Sequence, residues 1–156
     1  MALFWGEYEK RIDKKGRVSV PSEFRTALAQ SGSQELIVLP EPKQPWVRGM
    51  PRHAFEQVLA QLQRQHGRFT AQRTRASRFV FGRARPLSFD PEGRISLPKA
   101  FLEHAGITDA LVFVGGGDHI QIWQPDRLNE SYDSDAAEAE DVLEGLEELE
   151  PEGASL

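Results

Sequence analysis

Two short segments of this 156-residue chain alternate apolar and polar residues in the same way, Arg17-Val18-Ser19-Val20 and Arg94-Ile95-Ser96-Leu97. A period of two is that of a strand with one face buried and the other wet. Another strand-like run precedes each, Glu7–Ile12 and Ala84–Phe89, joined by a turn with Gly16 or Gly93 at its fourth position, where positive φ is easiest. Pro21 and Pro98 end the second strand of each pair and suit the start of a helix, predicted over Ser22–Gln30 and Lys99–Ala105, with Gly32 and Gly106 as stop signals. The apolar runs Leu36–Leu39 and Leu111–Val114 each open a β-hairpin, the second turning at Gly115–Asp118. Between the two sets the period changes to that of a helix. Phe55, Val58, Leu59 and Leu62 share one face of a helix over Pro51–Gln65, and a second helical stretch covers Thr70–Phe81.

These elements are two copies of one unit. DKKGRVSVP (13–21) returns as DPEGRISLP (90–98) at an offset of 77, which also pairs Phe4 with Phe81 and Phe24 with Phe101. The hairpins follow at an offset of 75, with Trp46 and Trp123 soon after. Two copies mean a duplication; a solenoid needs three or more. The reading divides the chain into a first repeat at 1–65, a helical connector at 66–80, a second repeat at 81–129 and a tail at 130–156.

Charge is divided unevenly. From Glu130 onward there are 11 acidic residues and no Lys or Arg, which leaves 19 basic against 13 acidic residues in 1–129, a net +6 within a chain of net −5. A basic body favours polyanions. The tail's high charge and sparse apolar content favour disorder, with a short helix over Ala136–Leu149 as the alternative. The chain has no cysteine, no long apolar run and no signal-like start, so a cytoplasmic location without a membrane partner is expected.

Asp13 and Arg17 flank the first turn. An aspartate there can bond turn amides and hold the arginine across it, and a held guanidinium loses less freedom on meeting a phosphate or a guanine edge. An ordinary turn salt bridge is the bland alternative. Retention of Asp, Gly, Arg, Ser and Pro in both copies moves the balance toward function. Lys10, Arg11, Lys14, Lys15, Arg17 and Arg25 surround the first copy, whereas Pro91 and Glu92 occupy the second tip. The first copy is therefore the better polyanion surface. Asp13, Gly16, Asp90, Gly93 and Arg94 are the supporting residues of the motif.

FWGEYEKRIDKKGRVSVPSEFR, and RFVFGRARPLSFDPEGRISLPKAFLEHAGI followed by LVFVGGGDHIQIW, resemble the two halves of MraZ proteins over about residues 4–128. Both Asp-x-x-x-Arg motifs of that family are present. The resemblance implies a mainly β fold with short helices (α+β), an AbrB-like pseudo-twofold swapped-hairpin β-barrel built from the tandem repeats. It implies a bacterial transcriptional regulator of the division and cell-wall genes, associated with the nucleoid. It also implies ring-like homo-oligomers on short repeats of double-stranded promoter DNA, with Arg17 contacting DNA and Asp13 orienting it. The chain departs from the family pattern at Trp46–Pro51, where the connection is longer, at Pro86 in an opening strand, and in its longer acidic tail.

Other chemistry is weaker. Arg64, Arg68, Arg73, Arg75, Arg78, Arg83 and Arg85 span a stretch without acidic residues, equally a solvated or subunit-facing surface and a second DNA-facing stripe. His53, His66, His104 and His119 lie in separate elements, so no metal site is expected. Gly115–Asp118 lies between strands, unlike a phosphate loop. Neither a nucleophile with its base nor a pair of carboxylates appears, so no catalysis, cofactor or small-molecule substrate is expected. The competing functional class is a protein-interaction scaffold that recruits partners through the acidic tail and binds DNA weakly.

Overall fold

In the computed structural model, which describes residues 2–65 and 69–148, the strands of the two repeats pair with one another more than with themselves. Repeat one supplies β1 (Glu7–Arg11), β2 (Arg17–Ser19), α1 (Ser22–Gln30), β3 (Glu35–Pro40) and β4 (Trp46–Met50). Helices α2 (Arg52–Gln65) and α3 (Ala71–Phe81) follow. Repeat two supplies β5 (Arg85–Ser88), β6 (Arg94–Ser96), α4 (Lys99–Ala105), β7 (Ala110–Gly115) and β8 (Ile120–Trp123), and α5 (Pro125–Glu148) is the last element among the described residues. Two compact units result, Met1–Pro125 and Asp126–Leu156.

Six strands form one antiparallel sheet in the order β1-β7-β8-β4-β3-β5, and β2 and β6 form a separate two-stranded ribbon. Only the hairpins β3–β4 and β7–β8 pair within a repeat. Arg11 lies opposite Ala110, and Glu35 opposite Ser88, which is the same pairing carried across by the offsets of the duplication. In the ribbon, Val18 faces Ile95, so the pseudo-twofold relation passes between these two residues. The swap between halves is therefore present, but the expected barrel is not. β1 and β5 remain as sheet edges, and Pro86 on β5, with no N–H to donate, cannot extend the ladder.

Alternation decides the layers. Leu36 and Val38 of β3 point into the main core with Leu111 and Phe113 of β7, while Ile37 and Leu39 point to the opposite face and join Met50, Phe55 and Val80. Phe24 and Leu28, four residues apart on α1, bury one stripe of that helix, and Phe24 meets Phe4 and Tyr8 edge-on at 5.6 and 5.3 Å. Phe101 and Ala105 do the same on α4 before Gly106 ends it at φ +69°. α2 and α3 bury no side chain fully; Phe55 and Phe81 join them, with ring centroids 4.8 Å apart.

One difference concerns the acidic segment. Rather than remaining unstructured from Glu130, the chain is helical as far as Glu148. Its Ala, Glu and Leu content has high helix propensity, and Asp126 in the first turn complements the helix dipole. Leu149 and the residues after it lie outside the described residues, as do His66 and Arg68.

Candidate nucleic-acid interface

The first turn is built around one carboxylate. Asp13 Oδ1 accepts the backbone amides of Lys15 and Arg17 at 2.9 and 2.8 Å, and Oδ2 accepts Arg17 Nε at 2.7 Å. The Gly16 amide closes the turn on the Asp13 carbonyl at 3.0 Å with Gly16 at φ +82°. The second turn repeats this atom for atom. Asp90 accepts from Glu92 N, Arg94 N and Arg94 Nε at 2.9, 2.9 and 2.8 Å, with Gly93 at φ +77°. The bonds from the Arg17 and Arg94 amides are the leading reason that both carboxyls are held below the ordinary aspartate range. Each arginine is thus oriented through Nε by the aspartate of its own turn.

The ribbon brings these two arginines together. Arg17 pairs with Ser96, and Arg94 with Ser19, flanking the Val18–Ile95 pair. Val18 and Ile95 are each only 1% exposed, and burial of such side chains contributes about 1.5–3 kcal/mol apiece. Because strand residues alternate, burying Val18 and Ile95 turns Arg17, Ser19, Arg94 and Ser96 to the same wet face. Arg17 and Arg94 are diagonal neighbours there, at a typical separation of about 7–8 Å. The two motifs, expected as the better polyanion surface and its supporting counterpart, thus share one four-residue face with a turn at each end. Ser19 and Ser96 belong to it; the shared alternation signalled their exposure but not their pairing.

The halves interlock at the turns as well. Leu97 N donates to Gly16 O at 2.9 Å, and Val20 N donates to Gly93 O at 3.1 Å, so each ribbon strand runs out against the other repeat's turn. This relocates Arg25. Sequence proximity groups it with the first copy, but its guanidinium lies over Gly93 of the second turn, where a Cβ would stand 2.6 Å from Cζ. Its Nε donates to Val20 O at 3.2 Å.

The family model described as "MraZ protein, putative antitoxin-like" matches this chain twice, over residues 3–79 and 80–144. The chain belongs to the MraZ family. Among similar proteins, that of Gluconacetobacter diazotrophicus is 38% identical over 80% of this chain and 80% of its own length. That of Parvibaculum lavamentivorans is 35% identical over 96% and 90%, and that of Rickettsia canadensis is 34% identical over 86% and 89%. All three are named "Transcriptional regulator MraZ".

Within this MraZ-family chain the two turns carry different charge. Asp13–Arg17 sums to +2 and Asp90–Arg94 to −1. Lys14 and Lys15 are exposed, and no described residue engages their ammonium groups. At the second turn, Glu92 Oε2 takes Arg94 Nη2 at 2.8 Å in addition to the Asp90 contact. Of the remaining predicted residues, Lys10 is half-buried on β1 beside exposed Arg11, which lies 3.8 Å from Asp109.

Other candidates stand apart from the ribbon. Arg48 pairs with Glu41 at 2.6 Å and lies over Trp46, and Trp46 stacks on both Trp123 and His119. Trp46 and Trp123 prove to be neighbours across β4–β8 rather than counterparts. The hairpins pair Ile37 with Met50 and Val112 with Trp123, so Trp123 occupies the place of Met50. At the start of α3 the Arg73 amide donates to the Thr70 cap at 3.2 Å, and just beyond the end of that helix Arg83 lies over the exposed Phe79 ring.

Proposed function

We propose that this protein is a transcriptional regulator that binds promoter DNA through the first turn and the ribbon beside it. The observation that carries this reading is Arg17, braced by Asp13 through Nε with its outer nitrogens open, next to two exposed lysines. A guanidinium held in this way suits the acceptor pair of guanine in a major groove, which a two-stranded β-ribbon can enter. In this reading Arg17, with Lys14 or Lys15, reads bases, and Lys10 and Arg11 hold phosphates. Arg25 acts as a clamp on the second turn and contributes charge from there. The names of its relatives support a role in transcription, and the family resemblance extends this to repression of the division and cell-wall genes in the nucleoid.

One chain presents few cations, so affinity comes from a ring-like homo-oligomer engaging repeated sites, where linkage gains about 10²–10⁴ over one contact. The repeats at 1–65 and 81–129 act as one ribbon-bearing body, with 66–80 as connector. The test is a gel shift on the duplex upstream of the protein's own coding sequence. Arg17→Ala removes retention while native mass spectrometry shows the assembly unchanged. Raising salt from about 50 to 200 mM weakens wild-type binding by roughly 10³–10⁵ if some 6–10 phosphates are neutralised. Normal retention by Arg17→Ala, or a flat salt response, overturns the reading.

The acidic helix α5 supports a second reading, a scaffold with weak DNA binding. Val142, Leu143 and Leu146 are 60%, 59% and 62% exposed between carboxylates, a surface suited to a partner protein. Deleting 130–156 separates the readings: loss of a protein partner with DNA retention intact favours the scaffold.

A further inference from the structure

We infer that Glu92 makes the ribbon electrostatically one-sided, so that each subunit engages DNA through its first turn and withholds Arg94; this rests on the DNA-binding reading above. The backbone does not distinguish the two ends. Both turns have the same hydrogen bonds, the same positive-φ glycine and the same Nε-held arginine. Both arginines project on the wet face of a ribbon whose symmetry passes between Val18 and Ile95. Left to the backbone, the ribbon would present two equivalent arginines and would have no preferred direction along a duplex.

Side chains break that equivalence. At the first end nothing described engages the Nη atoms of Arg17, and Lys14 and Lys15 flank it. At the second end Arg94 is held on two sides, by Asp90 at Nε and by Glu92 at Nη2, and it is less exposed than Arg17, 29% against 36%. Glu92 is itself 70% exposed, so it stands at the outer surface where a phosphate would have to approach. Even with Arg25 over Gly93, the charges at the second end only cancel. An approaching phosphate must displace a carboxylate from Arg94 and then remain beside it, and like charges in contact are disfavoured. The consequence is a direction: subunits lie on DNA with the first turn leading, and Glu92 sets that polarity by repulsion.

Glu92→Gln and Glu92→Lys test this, each in the full chain. The probe is a fluorescein-labelled duplex from upstream of the coding sequence, titrated by anisotropy between about 50 and 200 mM salt. Both variants should tighten binding roughly three- to tenfold at the lower salt, and should steepen the slope of log affinity against log salt by about 0.9 for each further phosphate neutralised. Glu92→Lys placed in Arg17→Ala should recover part of the lost retention. Thermal melts check that each variant folds. Wild-type binding with unchanged affinity and slope in both variants overturns the inference and leaves the DNA reading standing. A lower melting temperature with an unchanged slope also overturns it, because Glu92 then only braces the turn. If wild type fails to bind and Glu92→Lys binds, withholding stands and the wild-type DNA reading falls. If none of the proteins binds, both fall.

Discussion

The two turns of the ribbon agree in every backbone bond and differ in what fills them. Lys-Lys stands between Asp13 and Gly16, and Pro-Glu between Asp90 and Gly93. The agreement shows that Asp, Gly and Arg are what this turn requires: a carboxylate to collect two amides and a guanidinium, and a residue free to take positive φ. The difference shows where a duplication leaves room to specialise. The middle of the turn meets solvent, so its side chains change charge without disturbing the bonds beneath.

The strongest way to break this comparison is to remove each arginine in turn. Arg17→Ala should lose about 1–3 kcal/mol of binding at each engaged site, compounded across linked copies, whereas Arg94→Ala should lose much less. Equal losses in a gel shift would mean that the turns are used alike.

Next come the glycines. Gly16→Ala and Gly93→Ala each force a side chain into the left-handed region, at about 1–2 kcal/mol. The added Cβ at Gly16 meets backbone, Leu97 O at 3.0 Å, while that at Gly93 meets the flexible end of Arg25. Denaturant unfolding should find both variants destabilised. Loss of DNA retention at constant fold should be the larger for Gly16→Ala.

A smaller effect is expected from Asp13→Asn, which keeps one oxygen to accept the turn amides but replaces the oxygen that accepts Arg17 Nε with an NH2 donor and removes the charge. Anisotropy should report weaker binding than wild type with little change in secondary structure, and Asp90→Asn should leave binding nearly unchanged.

The smallest effect is the pH response. Both carboxyls titrate below the ordinary aspartate value in the folded chain, chiefly through bonds from the Arg17 and Arg94 amides. Their contribution to stability is therefore complete above the unfolded value and is lost as pH falls through the lowered folded values. Melting curves of wild type should decline more steeply below about pH 4 than those of a doubly substituted Asp13→Asn, Asp90→Asn protein. Parallel curves would mean that the turns hold without their charges.

Much of the local structure is legible in the residues. α1 and α4 match the predicted spans, and α2 and α3 start one residue later, with Thr70 as the cap of α3. β1, β2, β5 and β6 fall within the expected runs, shortened at one or both ends, while β3 and β7 extend one residue beyond theirs at each end. The barrel closure expected from the resemblance fails at the edges, where β5 carries Pro86. Sequence proximity puts Arg25 at the wrong turn, and likeness between copies puts Trp46 and Trp123 in equivalent places, for one shared reason. Both inferences treat closeness in sequence, or likeness between copies, as closeness in space.

What the sequence determined alone is everything with a short reach. An aspartate reads the amides two and four residues ahead, a glycine relieves its own φ, and alternating residues choose faces. The pairing of β2 with β6 depended on long-range packing. It joins segments 77 residues apart, and it is held where Val18 and Ile95 are buried together in a core drawn from both repeats. No local signal encodes which strand a ribbon strand will choose. Only the assembled core turns two separate arginines into one surface.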